Sequence, residues 1–214
     1  MVDVVATLRS ARVVPVIRHD DPGVALEACE LLAAGGIEAL EITTTVPDAA
    51  GIIADFRSRF PSICVGAGTV LTTEQVEQVI SAGAEFVVSP CWSDEVARAL
   101  LDARVPYLPG AMTPGEVLHH ASSGATLVKV FPAEAAGGPS YLKALKTVFP
   151  DVALMPTGGV TPANAKSYLD AGALCVGMGG NLLPATALEV GNTTVAVEQI
   201  NSALTAVFSQ DTKN

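Results

Sequence analysis

Short apolar runs alternate with longer amphipathic stretches along most of the chain, and this alternation restricts the fold more than any other feature. Eight runs have the length and composition of a β-strand: residues 13–17, 39–43, 63–68, 85–90, 106–110, 126–131, 152–158 and 174–180. Strands that are apolar on both faces and alternate with helices are typical of a parallel sheet covered by helices. Eight such units in 214 residues predict an α/β fold of the (β/α)8 TIM-barrel type.

The helical stretches carry start and stop signals. Several follow a residue that can cap a helix N-terminus, such as Asp21, Thr72 or Thr73, Ser93, and Thr161 before Pro162, and several end on glycine. The first residues, "MVDVVATLRSA", predict a short helix ahead of the barrel that could close its bottom. No proline- or serine-rich linker divides the chain, so we interpret residues 1–214 as one domain.

An open, doubly wound sheet is the alternative arrangement of the same elements. Dinucleotide-binding members of that class carry a glycine-rich loop directly after the first strand. Here the first strand run is followed by "RHDDPG", which has no such loop. The sequence therefore favours the closed barrel.

The composition argues against several functional classes. The formal net charge of −10 and a pI near 4.6 leave no basic stripe for the phosphates of a nucleic acid. No stretch approaches the roughly 18 consecutive apolar residues of a membrane helix. The first residues also lack the basic flank and cleavage site of a secretory signal. We therefore expect a cytoplasmic protein that binds neither nucleic acid nor a membrane.

The cysteines and histidines do not predict a metal centre. The four cysteines (Cys29, Cys64, Cys91 and Cys175) are far apart in sequence, which is typical of reduced, mostly buried thiols. His119 and His120 are adjacent on a predicted helix, so they point in different directions, and we expect them at the surface. His19, beside Arg18, could line a site at the barrel mouth. Without a set of ligands, we expect no metal and no cofactor.

Lys129 is the most informative single residue, because it lies in the apolar run "TLVKVF". Alternation along a strand places Lys129 on the same face as Leu127 and Phe131, inside the barrel. Loss of hydration favours the neutral amine, which can attack a carbonyl and form a Schiff base. The alternative is a structural ion pair with an inward carboxylate, and Glu41 could be that partner.

Active groups of such barrels come from the carboxyl ends of the strands. Glu41 faces inward on the second strand run, where a buried carboxylate suits general acid and base catalysis. Arg18 follows the first run and supplies a fixed cation, and Thr69 follows the third run and supplies a hydroxyl. Pro109 and Phe131 are predicted to exclude water from the site.

Two pairs of glycines follow the seventh and eighth strand runs, in "MPTGGVTP" and "VGMGGNL". Each loop is predicted to open a helix. Barrels commonly bind phosphate there, through backbone N–H groups and a helix N-terminus. Gly158 with Gly159, and Gly179 with Gly180, are therefore candidate anion-binding positions, although glycines also occur in ordinary turns.

Six segments together resemble one known family. They are "EITTTVPDA" (41–49), "VGAGTVLTTEQ" (65–75), "AGAEFVVSP" (82–90), "YLPGAMTP" (107–114), "VKVFPAE" (128–134) and "PTGGVTPANAKSYLDAGALCVGMG" (156–179). In order and spacing they resemble the class I 2-keto-3-deoxy-6-phosphogluconate (KDPG) and 4-hydroxy-2-oxoglutarate (KHG) aldolases, from about residue 12 to residue 190.

The resemblance implies a homotrimeric barrel that cleaves KDPG to pyruvate and glyceraldehyde 3-phosphate, or KHG to pyruvate and glyoxylate. Lys129 matches the Schiff-base lysine of the family, and Glu41 matches its general acid and base. Thr69 matches the threonine that contacts the pyruvate carboxylate. Gly158 and Gly159 match the phosphate-binding loop after strand seven, and Gly179 matches the one after strand eight.

Two positions distinguish branches of the family. Arg18, in "PVIR", matches the arginine of the branch that places this cation after strand one. The other branch has its arginine four residues after the glutamate, where this chain has Thr45. Many relatives also carry serine at the position of Gly180, so the chain keeps the backbone donors but lacks that hydroxyl.

Three alternatives remain open from the sequence. The preferred substrate could be 2-keto-3-deoxy-6-phosphogalactonate. The barrel could bind phosphosugars without covalent chemistry, as an isomerase or synthase. It could also be a catalytically silent sensor. The presence of Lys129, Glu41, Thr69 and Arg18 together favours the aldolase interpretation.

Overall fold

The structure is a computed structural model that describes residues 3–183 and 193–208. Its strands are β1 (Val13–Ile17), β2 (Ala39–Thr43), β3 (Cys64–Gly68), β4 (Phe86–Ser89), β5 (Tyr107–Ala111), β6 (Val128–Val130), β7 (Leu154–Pro156) and β8 (Val176–Met178). Its helices are α1 (Val4–Ala11), α2 (Pro22–Ala34), α3 (Ala49–Arg59), α4 (Thr73–Ser81), α5 (Asp94–Ala103), α6 (Pro114–Ser122), α7 (Gly138–Val148), α8 (Ala165–Asp170) and α9 (Thr193–Phe208).

The eight strands form one parallel sheet in the order β7-β6-β5-β4-β3-β2-β1-β8. The two outer strands, β7 and β8, are joined by a parallel bridge between Thr157 and Gly177. Thr157 directly follows β7, and Gly177 is the central residue of β8. Each strand overlaps one of the predicted runs, and only β5 extends beyond its run, by Ala111. The structure therefore confirms the predicted (β/α)8 barrel.

Alternate strand residues separate the barrel interior from the layer under the helices. The interior cluster contains Val14, Ala39, Cys64, Phe86, Val88, Leu108, Leu127, Met155 and Cys175. Val128 and Val130 belong instead to the larger cluster between strands and helices. Val4 and Leu8 of α1 pack into the interior cluster, so the predicted N-terminal helix covers one end of the barrel.

Most predicted helix starts agree with the structure. The Asp21 carboxylate accepts hydrogen bonds from the N–H groups of Gly23 and Val24, at 2.7 and 3.1 Å. Thr72 caps α4 in a reciprocal capping box with Gln75. None of the helices in the described ranges is long and apolar enough to span a membrane.

The prediction of a helix opening at Thr161 and Pro162 is wrong. The N–H of Thr161 donates to Asn164 Oδ1 at 2.8 Å, and the N–H of Asn164 donates to Thr161 Oγ1 at 3.3 Å. Residues 162–164 form a turn, and α8 begins at Ala165 and has six residues. The helix predicted after "VGMGGNL" extends into residues 184–192, outside the described residues.

Candidate active site

Lys129 and Glu41 meet inside the barrel. Lys129 is the central residue of β6, and its Nζ lies 3.8 Å from Glu41 Oε1. The Glu41 residue is fully buried and Lys129 is 6% exposed. The separation is longer than a hydrogen bond, and neither oxygen of Glu41 accepts a hydrogen bond from the residues described. The pair therefore keeps free lone pairs on the carboxylate next to the amine.

Gly68 provides the space that the Glu41 side chain occupies. Residues 43 and 68 are register partners of β2 and β3, so Gly68 lies beside the top of the Glu41 strand. A Cβ atom on Gly68 would overlap Oε1 of Glu41. Any larger residue there would displace the carboxylate from its position near Lys129.

Thr69 and Arg18 meet at the barrel mouth. Arg18 Nη2 donates a hydrogen bond of 3.1 Å to Thr69 Oγ1. Thr69 has φ of 59°, in the left-handed region that β-branched residues rarely adopt. Such a conformation costs about 1–3 kcal/mol and is often found at functional sites. Arg18 follows β1 and Thr69 follows β3, on either side of β2. Their guanidinium and hydroxyl groups are suitable donors for a carboxylate ligand.

Phe131 and the glycine pair after β7 lie on the other side of Lys129. The Phe131 ring centroid is 5.4 Å from Lys129 Nζ, and the ring is 3.3 Å from where a Cβ of Gly158 would lie. Gly158 and Gly159 have φ of 93° and 80°, which favours glycine at both positions. A Cβ on Gly159 would also collide with Glu134. The backbone of the loop at Gly158 and Gly159 therefore lies close to residues 131–134, which follow the Lys129 strand.

The glycines after β8 lie near Arg18. Arg18, His19, Gly179 and Gly180 contribute to the lining of one cavity of about 330 Å³ beside β1 and α2. Added Cβ atoms at Gly179 and Gly180 would meet no atom of the described residues within 4 Å. Position 180 is therefore open space. His19 also lines this cavity, which includes neither Lys129 nor Glu41, so its place in the active site stays a prediction.

The geometry brings together most of the predicted site: an amine, a carboxylate, a cation with a hydroxyl, and glycine loops. A family model described as KDPG and KHG aldolase matches residues 4–200. The chain belongs to this aldolase family.

Individual family members show the same relationship. The chain is 40% identical over 185 residues to 2-dehydro-3-deoxy-phosphogluconate aldolase of Pseudomonas aeruginosa, covering 86% of this chain and 84% of that protein. It is 38% identical over 186 residues to the KHG/KDPG aldolase of Escherichia coli, covering 86% and 87%. A solved KDPG aldolase from Legionella pneumophila, with pyruvate captured at low pH as a covalent carbinolamine intermediate, is 36% identical with a TM-score of 0.84, covering 93% and 97%.

Pro109 does not face the aldolase site. Leu108 belongs to the interior cluster, whereas Tyr107 and Ala111 pack between the strands and the helices. Alternation therefore directs Pro109 outward and leaves Gly110 as the inward register partner of Lys129. The prediction that Pro109 excludes water from the site disagrees with this arrangement, because Leu108 and Gly110 are the inward-facing residues of β5.

Thr157 is a site residue that the sequence reasoning missed. It follows Met155 on the inward face of β7 and is 6% exposed. Its Oγ1 makes no hydrogen bond to the described residues, and a Cβ on Gly177 would overlap it. A buried hydroxyl without a partner is unusual in native proteins, so Thr157 offers a hydrogen-bonding group to a ligand. The only sequence signal was its odd-numbered position in the run 152–158.

His120 is buried, so the prediction of a surface position is wrong for this histidine. Its ring stacks on Trp92 with centroids 5.1 Å apart, and Nε2 lies 3.0 Å from the carbonyl oxygen of Gly110. Because that oxygen can only accept, Nε2 carries the proton. Desolvation lowers the pKa of His120, and the Gly110 hydrogen bond opposes this shift. His119 is exposed, as expected.

The cysteines of the aldolase are free thiols. Cys29, Cys64 and Cys175 are buried, and Cys91 is exposed. Burial raises the pKa of Cys29 and of Cys64 to about 12 and raises the pKa of Cys175 as well. The three buried thiols are therefore unreactive at neutral pH. Across residues 3–183 and 193–208, no group of three His, Cys, Asp or Glu residues is arranged to hold a metal ion.

Proposed function

We propose that this chain is a class I aldolase that cleaves KDPG, KHG or both, with Lys129 as the nucleophile and Glu41 as the acid and base. The observation that carries the proposal is the buried pair, Lys129 Nζ and Glu41 Oε1 at 3.8 Å, at the carboxyl ends of the strands. A purely structural pair would be expected to saturate the carboxylate with donors, whereas this carboxylate accepts none from the described residues.

The first half of the reaction forms the Schiff base. Neutral Lys129 attacks the C2 carbonyl carbon of the 2-keto acid, and a proton passes from the nitrogen to the former carbonyl oxygen through the Glu41 carboxyl group, which gives a carbinolamine. Protonated Glu41 then delivers its proton to that hydroxyl, directly or through a water, and water leaves as the iminium forms and Glu41 becomes a carboxylate.

The second half breaks the carbon–carbon bond. Glu41 accepts the proton of the C4 hydroxyl, the C3–C4 electron pair moves into the iminium, and the aldehyde leaves. Protonated Glu41 gives its proton to C3 of the enamine. Water then adds to the resulting iminium, Glu41 takes up the proton that the water loses, and pyruvate and neutral Lys129 are released. Lys129 and Glu41 together thus return to their starting protonation states.

The remaining residues position the substrate. Arg18 and Thr69 bind the carboxylate, supported by their mutual 3.1 Å hydrogen bond and their place at the mouth. Phe131 excludes water next to Lys129. Gly158, Gly159 and Gly179 supply backbone N–H groups to a terminal phosphate. Gly180 offers a backbone donor without the serine hydroxyl, which favours weaker binding of a phosphate than in serine-containing relatives.

Several broader properties belong to the same proposal. We propose that residues 1–214 act as one domain, that the protein is cytoplasmic and that it is a homotrimer. It requires no metal and no cofactor, and its ligand is a small 2-keto acid. Support for the trimer comes from the family resemblance.

Borohydride trapping tests the chemistry. Incubation with pyruvate and borohydride should reduce the imine and attach the pyruvate carbons irreversibly to Lys129, as mapped by peptide mass spectrometry. Lys166, a half-buried lysine that donates a hydrogen bond to Asp170, should remain unmodified and serves as the internal control. A Lys129→Met variant should show no labelling and no turnover. An enzyme that keeps its activity without a label on Lys129 would contradict the mechanism.

A coupled assay of pyruvate release distinguishes the substrates. KDPG, 2-keto-3-deoxy-6-phosphogalactonate and KHG are compared by kcat/KM at equal enzyme concentration. Preference for KDPG or KHG supports the proposal, and preference for the galactonate isomer selects that alternative. Ligand binding without trapping or pyruvate release would identify a sensor or a non-covalent barrel instead.

A further inference from the structure

Thr44, the residue directly after β2, donates hydrogen bonds to two consecutive carbonyl groups at the end of the neighbouring strand β3. Its N–H donates to the oxygen of Gly68 at 2.8 Å, and its Oγ1 donates to the oxygen of Thr69, also at 2.8 Å. The first bond continues the β2–β3 ladder. The second is made by the side chain and depends on a hydroxyl at position 44.

These two carbonyl groups belong to the peptide units on either side of Thr69. The orientation of the first unit sets φ of Thr69, and the orientation of the second sets ψ. The N–H of Val70, in the second unit, donates to the oxygen of Val88 at 3.2 Å. Thr44 and the β4 backbone therefore hold both peptide planes around a residue whose φ is 59°. A threonine keeps this unfavourable conformation only when its surroundings impose it.

The conformation of Thr69 decides where its hydroxyl points. Thr69 Oγ1 accepts the hydrogen bond of Arg18 Nη2 at 3.1 Å. Within the described residues, the exposed Arg18 side chain is held by this hydrogen bond. If Thr69 relaxed to an extended conformation, Oγ1 would turn away and the long Arg18 side chain would lose this anchor.

We propose that Thr44 is a positioning residue for carboxylate binding: its hydroxyl holds Thr69 in the left-handed conformation, and Thr69 in turn positions Arg18. The inference rests on the proposed function, because it assumes that Arg18 and Thr69 bind the carboxylate of a 2-keto acid. Thr44 itself touches neither the keto acid nor Lys129. Its influence is therefore on substrate affinity rather than on the bond-breaking steps.

The direct test is Thr44→Val, which removes the hydroxyl and keeps the shape of the side chain. We expect KM for the keto acid to rise about 3- to 10-fold, the effect of losing one neutral hydrogen bond, with kcat within about twofold. This split identifies lost binding that is equal in the ground and transition states. The pyruvate concentration needed for half-maximal borohydride trapping should rise by the same factor.

Two further variants separate positioning from general structural damage. Thr44→Ser keeps the hydroxyl and should restore KM to within about twofold of the unmodified protein. Thr147→Val is the matched control, since it removes an exposed threonine hydroxyl that donates to a backbone carbonyl, that of Lys143 at 3.0 Å, on α7. It should change neither parameter.

A double variant tests whether the effect passes through Thr69. Thr69→Ala removes the hydroxyl that Thr44 is inferred to orient. Adding Thr44→Val to Thr69→Ala should therefore change KM by less than about twofold.

The outcomes are distinguishable. If the unmodified protein is not trapped by pyruvate and borohydride, the proposed function fails. If it is trapped, the inference is overturned by an unchanged KM in Thr44→Val, by failure of Thr44→Ser to restore binding, or by additive effects in the double variant. If Thr44→Val does not fold, Thr44→Ala, which removes the same hydroxyl without adding a methyl group, replaces it, and an unchanged KM in Thr44→Ala overturns the inference.

Discussion

At the scale of single residues, Glu41 combines full burial with unused hydrogen-bonding capacity. Both of its oxygens lack a donor among the described residues, and its ion-pair partner Lys129 stands 3.8 Å away. Burying a carboxylate without hydrogen-bond donors destabilises the folded protein, and buried carboxylates with a purely structural role normally have donors. A group that takes up and releases protons must keep its lone pairs accessible. The arrangement fits acid and base catalysis better than a structural ion pair.

Replacing Glu41 with glutamine tests this role. The amide has the same size, so Glu41→Gln should remain folded. Turnover should fall by roughly 10²–10⁴, the usual contribution of a general acid or base. Steady-state kinetics of pyruvate release, together with a thermal unfolding curve, provide the measurement.

Glu38→Gln is the matched control for this substitution. Glu38 is exposed and precedes the same strand at its opposite end. This variant should retain the activity of the unmodified protein. Full activity in Glu41→Gln would remove Glu41 from the acid and base role.

Strand alternation predicted the inward-facing Lys129 and Glu41, whereas the residues that support them were not predictable. Period two in "TLVKVF" and "ALEIT" is enough to direct Lys129 and Glu41 inward. The support from Thr44 depends on a threonine in the left-handed region at position 69, a conformation that sequence statistics disfavour. Thr157 also gave little signal, because the space for its hydroxyl depends on a glycine, Gly177, on the neighbouring strand.

At the scale of elements, α6 packs a histidine against the strand that neighbours Lys129. His120 stacks on Trp92 and binds the Gly110 carbonyl, and Gly110 is the β5 partner of Lys129. The sequence showed only two adjacent histidines on a helix. Which one is buried depends on the contact of α6 with β5 and Trp92, and this is a tertiary property.

The buried His120 should make stability depend on pH. Its pKa is lowered in the folded protein, mainly by desolvation, from a usual value of 6.5. The unfolded chain therefore binds a proton at a higher pH than the folded protein does. The contribution of neutral His120 to the free energy of unfolding is complete above about pH 6.5 and decreases as the pH falls below it. Urea unfolding between pH 8 and pH 5 measures this decrease.

Substitution of each histidine separates the two contributions. His120→Gln should weaken the pH dependence below 6.5, whereas His119→Gln should retain most of it because His119 is exposed. Equal slopes in the unmodified protein and in His120→Gln would show that another group titrates.

At the scale of the whole molecule, alternation of strands and helices was sufficient to predict the barrel. Seven of the eight observed strands fall inside a predicted run and β5 extends one residue beyond its run, although β6, β7 and β8 contain only three residues each. The main disagreement is the start of α8, which lies at Ala165 because residues 162–164 form a turn. Thr161 and Asn164 still make the reciprocal hydrogen bonds of a capping box, so the sequence signal was present but the regular helix starts later.

The proposed homotrimer is a property of the whole molecule and has a simple measurement. Multi-angle light scattering at micromolar concentration should give a mass of about three times 21.8 kDa. Large apolar side chains such as Leu101 and Val148 are 73% and 67% exposed in the isolated chain, which is compatible with contacts between subunits. A mass of one chain over the whole concentration range would contradict the proposal.

The close approach of Gly68 to Glu41 has a consequence for the evolution and redesign of this enzyme. Because a single added carbon at position 68 occupies the place of Oε1, the two positions share one volume. They can change only together, with a shorter residue at 41 accompanying any side chain at 68. Libraries that enlarge the substrate pocket should therefore hold Gly68 fixed and vary the wall near Gly179 and Gly180, where added atoms meet open space.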